Sequence, residues 1–163
     1  GIDVGYGQAS WKIRNNPKVK LFERTNIRYL DSSTLSNQDS QLPSFFVSDL
    51  SFISLKLVLE PISKLFTSNY FEGISLIKPQ FEVGKEKVSK GGVVKDASYH
   101  VEVIESIVDF VISKKFEING LISSPLVGPA GNHEYLIWIS KKKILDFVVS
   151  KRTIEDLVSK TLS

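Results

Sequence analysis

The sequence predicts an α/β fold with a mostly parallel sheet, and three observations point there. Short apolar runs alternate with stretches of helical periodicity, and clusters of Pro, Gly, Ser and Asn separate them. Three charged residues, Asp49 in SFFVSD, Lys78 in ISLIK and Glu134 in GNHEYLIWI, fall at predicted strand ends. Open sheets of this kind bind ligands beyond the carboxyl ends of their strands, which marks a catalytic edge. A chain of 163 residues is long enough to bury a full core and suits one domain.

In chain order, Ile2 to Val4 is a short apolar piece, and Ala9 to Asn15 forms helical turns that stop before Pro17. Val19 to Phe22 reads as another short strand, and the Ser, Asn and Asp content of residues 31–41 predicts a loop or frayed helix. Phe45, Phe46 and Val47 form a buried-strand candidate. Leu55, Leu59, Ile62 and Phe66 then recur near helical spacing, so the two together make one βα unit. Gly73 to Ile77 gives the next strand, and Pro79 stops regular pairing before a Lys/Gly-rich loop that runs to Lys95. Asp96 is the expected N-cap of a helix with a Val101, Ile104, Ile107, Val108, Val111 stripe. Ile118 to Ser123 and Tyr135 to Ile139 are the last strands; Ile144 to Val149 and a short helix from Thr153 to Leu162 complete the chain. Trp11 and Trp138 read as packing residues.

Composition narrows the chemistry. There is no cysteine, which removes disulfides and thiol catalysis, and two histidines without an acidic partner pattern give no metal site. No apolar h-region opens the sequence, and the longest nearly apolar stretch, Leu42 to Leu59, carries Asp49 and Lys56, so stable membrane insertion is not expected and the cytoplasm is. The net charge of +3 is uneven: Lys12, Arg14, Lys18, Lys20, Arg24 and Arg28 face the single acid Glu23. This stretch is either a phosphate-contacting patch or an ordinary solvated face. The opening GIDVGYGQ has two glycines after an apolar strand but lacks the third glycine of a dinucleotide fingerprint. An equally good reading makes Asp3 a strand-end acid that grips ribose hydroxyls.

The segments LFERTNIRYL, SDLSFISL, LIKPQFEVGKEKVSKGGVVKD and SSPLVGPAGNHEYLIW, in this order, resemble the TlyA or haemolysin A family of FtsJ-like RNA methyltransferases. The likeness covers most of residues 1–139. It implies a Rossmann-like, S-adenosylmethionine-dependent sheet and methylation of ribose 2'-hydroxyls of ribosomal RNA or ribosomal subunits. The family's S4 RNA-binding domain and first methyltransferase motif have no counterpart here, so residues 1–163 are expected to be a partial domain, incomplete at the N-terminus.

By the same resemblance Asp3 matches the ribose-binding acid of the cofactor site, while Asp49, Lys78 and Glu134 match three members of a Lys-Asp-Lys-Glu catalytic set whose first lysine is absent. Lys78 becomes the candidate base, with Asp49 orienting it beside the methyl donor and Glu134 holding lysine or ribose in place. A lysine accepts a proton only when neutral, and its reference pKa is about 10.4, so burial or a cationic neighbour has to lower it. Pro79, Gln80 and Phe81 shape the target pocket, with Phe81 either stacking on a base or filling core. Lys12, Arg14, Lys85, Lys87 and Lys90 are candidate RNA contacts, and Asn132 is expected on the rim of the site. Two other readings stand beside this one: a noncatalytic RNA-binding remnant, and a membrane-active haemolysin suggested by the family's name.

Overall fold

Strand β2 (Glu72–Ile77) is one of two interior strands of its sheet and pairs on both edges. The computed structural model describes residues 1–35, 44–66 and 71–163. These fall into two compact units, Gly1–Leu42 with Leu57–Thr67, and Pro43–Lys56 with Ser68–Ser163.

The second unit holds a mixed sheet of β1 (Phe45–Ser48), β2, β3 (Glu117–Ser123) and β4 (Tyr135–Ser140), in the order β1-β2-β4-β3. Only β1 and β2 run parallel; β4 is antiparallel to both of its neighbours. The mostly parallel sheet expected from sequence is therefore corrected to a mixed one. The reason lies in the connection: residues 124–134 between β3 and β4 contain no helix, and a chain returning without a crossover helix pairs antiparallel.

Where β1 meets β2, Phe46 sits opposite Gly73 and its ring stacks on Phe71 at 4.9 Å. A Cβ on Gly73 would fall 2.0 Å from Phe46 Cδ1, so glycine is needed for the ring to lie flat there. Phe71 in turn meets Phe116 at 5.1 Å, which ties the strand edge to the start of β3.

Helix α5 (Ala97–Ser113) begins where its N-cap Asp96 accepts from the Ser98 amide at 2.8 Å. Its buried residues His100, Val103, Ile104, Ile107, Val108 and Val111 follow the three-and-four spacing of one helical face. Burying an Ile or Val side chain of this kind contributes about 1.5–3 kcal/mol. Helix α6 (Lys151–Leu162), capped by Ser150, packs on α5 and β3 through Ile154 and Val158. Residues 144–149 form no regular element. The buried Asn119 takes the amides of Ile144 and Leu145 on its Oδ1, at 2.7 and 3.1 Å, so a side chain occupies donors that a strand would pair. Trp138 donates from Nε1 to Glu72 across the β2/β4 pair, in keeping with a packing role.

The first unit is sparser. The expected strands at 2–4 and 19–22 reduce to one parallel bridge between Ile2 and Phe22. Helix α1 (Trp11–Arg14) follows the N-cap Ser10, and a 3-10 turn (Ile27–Tyr29) leads to α2 (Ser32–Leu35). The rest of the expected loop at 31–41 lies outside the described residues. Helix α3 (Lys56–Lys64) belongs to this unit from Leu57 onward. Trp11, expected to pack, is 77% exposed.

Replacing Gly73 with valine is expected to cost about 1–3 kcal/mol through overpacking against Phe46. A lower urea midpoint with an unchanged slope checks this.

Candidate active site

Strand β2 delivers Lys78 to the mouth of the site. Lys78 is the N-cap of a single helical turn, α4 (Pro79–Glu82), and proline at the first helical position suits the turn because its missing N–H would be unpaired anyway. From this turn the side chains leave in different directions. Lys78 Nζ lies 2.5 Å from Asp49 Oδ1 and donates to Ser51 Oγ at 3.2 Å. The Phe81 ring meets Phe52 at 4.8 Å. Glu82 accepts from the Leu55 amide and the Ser54 hydroxyl, both at 2.7 Å. Gln80 Nε2 donates to Glu134 Oε1 at 2.8 Å. One turn therefore holds the 49–55 segment on one side and the entry to β4 on the other.

The ion pair is asymmetric: the Lys78 side chain is 13% exposed and that of Asp49 is 72% exposed. Pairs with so wet a partner add little stability, so its content is geometric, a fixed position for the amine. Burial pushes the Glu82 carboxyl up from its ordinary value, opposed by the bonds from Leu55 and Ser54. Glu134 is buried, and its carboxylate lies so close to Gly128 that a Cβ there would sit 3.0 Å from Oε1.

Asn132, expected on the rim, is buried with both polar ends committed: Oδ1 accepts from the Val94 amide at 3.0 Å, and Nδ2 donates to the Gly92 carbonyl at 2.8 Å. It fastens the end of the Lys-rich loop. His100 completes the fastening. Its Nε2 faces the Val94 carbonyl and its Nδ1 the Tyr135 hydroxyl, both at 2.9 Å. A carbonyl only accepts, so Nε2 carries the proton and Tyr135 donates to Nδ1. Burial pushes the Tyr135 hydroxyl up to about 12 and the His100 imidazole below its ordinary value.

The candidate RNA contacts divide. Lys85 and Lys90 are exposed, whereas Lys87 pairs with Glu102 at 2.6 Å and lies 5.0 Å from the Tyr99 ring centre. In the first unit Lys12 is exposed, while Arg14 makes a two-pronged bond to Glu23 at 2.8 and 2.6 Å. That pairing holds the Glu23 carboxyl below its usual range. Asp3 closes the Ile2/Phe22 bridge, accepts from the Gly5 amide at 2.7 Å, and lines a cleft of about 200 Å³ with Gln8, Ala9 and Leu21.

Sequence reasoning passed over Phe52 and Glu82. Phe52 is 89% exposed and holds φ at 62°, a left-handed conformation that costs an L-residue roughly 1–2 kcal/mol. An exposed aromatic in a strained backbone, next to Ser51 and three residues from Asp49, is a functional signal. The signal available in sequence was the unbroken SDLSF string; its aromatic was read as part of an apolar run.

The sequence profile of the FtsJ-like methyltransferase family matches residues 1–141, and the chain belongs to this family. Within it, the 16S/23S rRNA (cytidine-2'-O)-methyltransferase TlyA of Mycobacterium tuberculosis is 38% identical over 161 residues, covering 99% of this chain and 58% of that protein. The candidate rRNA methyltransferase YqxC of Bacillus subtilis is 38% identical over 136 residues, covering 83% of this chain and 47% of its own length. The chain thus spans about half the length of these curated relatives. A candidate hemolysin from Streptococcus thermophilus has a solved structure that superposes with a TM-score of 0.85 at 33% identity, over 98% of this chain and 56% of that one. Among the described residues no helix is long and apolar enough to cross a membrane.

Because folding favours the neutral His100 ring, its contribution to stability is complete above the unfolded value of 6.5 and declines as pH falls below it. Urea midpoints are expected to drop between pH 7.5 and pH 5.5, against the opposite contribution of Glu82, whose burial favours its protonated form. Replacing His100 with asparagine flattens that slope.

Proposed function

We propose that the protein is an S-adenosylmethionine-dependent ribosomal RNA ribose 2'-O-methyltransferase, with residues 1–163 forming part of its catalytic domain. The observation that carries this reading is the placing of Lys78, Asp49 and Glu134 around one turn at the end of β2, in a chain of the FtsJ-like family. In the first unit, taken by itself, Asp3 lines a cleft of about 200 Å³ that suits a ribose. In the second, Asp49 leaves most of its side chain exposed beside Lys78, which fits a methyl donor. Bound there, S-adenosylmethionine would supply an electrophilic methyl group on a sulfonium.

The residues then have distinct tasks. Asp49 and Ser51 fix the Lys78 amine at one point. In its neutral form that amine accepts the proton of the ribose 2'-hydroxyl as the oxygen becomes nucleophilic. Glu134 contributes position more than proton transfer, since its oxygen is itself held by Gln80. Phe52, with Phe81 behind it, offers an aromatic face on which the target base stacks. Lys12, Lys85 and Lys90 are exposed cations suited to phosphate, and such binding weakens with salt. A ribosomal substrate places the protein in the cytoplasm.

The test uses the intact protein, a labelled methyl donor and ribosomal subunits. The wild type is expected to place label on ribose, and Lys78→Ala combined with Asp49→Ala to lower the rate at least about 100-fold. Undiminished labelling by that folded double variant would sink the assignment.

A further inference from the structure

We infer that Gln80 is a positioning residue for Glu134, and that its amide is kept at that place for this purpose and at the expense of stability. The inference rests on the methyltransferase reading of the site. Gln80 follows the buried Pro79 in α4, so its side chain starts from a stiff base. Its Nε2 donates to Glu134 Oε1 at 2.8 Å. The other end of the same amide, Oε1, is buried and has no hydrogen-bond partner among the described residues.

That arrangement is costly. A buried acceptor without a donor gives up its solvation and gains nothing, and an apolar side chain of similar length would avoid the penalty. Rotating the amide brings no relief, because it would set the carbonyl oxygen against a carboxylate oxygen and strand the NH2 group instead. Glutamine is thus inferior to methionine here in every respect except one, the N–H it gives to Glu134. Packing does not account for that choice.

Glu134 needs such a guide. Glu134 Oε1 lies so close to Gly128 that a Cβ there would sit 3.0 Å away, so the carboxylate fills room that the bare glycine leaves. Packing limits where the carboxylate lies, and the directional bond from Gln80 fixes how it is turned. Through α4 the constraint reaches Lys78, two residues away, so the amine and the carboxylate are referred to one rigid turn. A displacement of about 1 Å in such a set is enough to lower a rate about 100-fold.

A double-mutant cycle in the intact protein tests this, with methyl transfer to ribosomal subunits and thermal melting as readouts. Gln80→Met is expected to melt no lower than wild type while kcat falls about 10- to 100-fold and KM for RNA stays within about twofold. Glu134→Gln is expected to lower kcat similarly, and adding Gln80→Met to it to cause no further loss. Gln80→Leu, which also removes the donor without adding a charge, should behave as Gln80→Met does and covers the case of a poorly folding methionine variant. A kcat within twofold of wild type in both variants, or losses that simply multiply with Glu134→Gln, overturns the inference alone. A wild type that transfers no methyl group overturns the functional reading and this inference with it.

Discussion

A single turn of backbone, Lys78 to Glu82, sets the geometry on which the candidate site depends. A strand ends, a proline fixes φ, and four of the five side chains in Lys-Pro-Gln-Phe-Glu reach outward to fixed partners: Asp49 and Ser51, Glu134, Phe52, and the Ser54 hydroxyl with the Leu55 amide. None of these contacts is strong alone. Together they tie the 49–55 segment and the start of β4 to the end of β2, which suits a reaction sensitive to small misplacements.

Pairing in the sheet explains why this turn can be so short. Ile77 lies opposite Tyr135, so the residue before Lys78 and the residue after Glu134 are direct neighbours across β2 and β4. Ser48, just before Asp49, pairs with Ser75 on the other edge of β2, and their hydroxyls bond at 2.8 Å. Register therefore brings three distant stretches of sequence to one sheet edge before any side chain acts. A slip by one residue would turn every one of these side chains to the other face.

Much of this was legible in the sequence. The Asp96 cap fixes the start of α5 and Ile104, Ile107, Val108 and Val111 mark its buried face, because local periodicity and capping carry that information; His100 and Val103 complete the face in place of Val101. The three strand-end charges were legible too, as was the family likeness. Strand direction was not: an apolar run reads the same whether it pairs parallel or antiparallel, and only the helix-free return between β3 and β4 decides it. Asn132 was placed on the rim because it neighbours Glu134 in sequence, whereas its amide is consumed by Val94 and Gly92 some forty residues upstream. Long-range polar fastening of that kind leaves no local pattern. Arg14 and Lys87 were read as free cations for the same reason, since Glu23 and Glu102 meet them only once the chain has folded.

The claim at the centre of this account is that methyl transfer occurs between Asp49, Lys78 and Glu134 at the end of β2. A crystal structure of the intact protein with a methyl-donor analogue and a short RNA addresses it directly. The account predicts that the analogue's methyl-bearing position and a ribose 2'-oxygen lie together within hydrogen-bonding reach of Lys78 Nζ, with Glu134 still held by Gln80. An analogue bound with its transferable position far from Lys78, or a base atom of the RNA presented in place of the ribose oxygen, would contradict it.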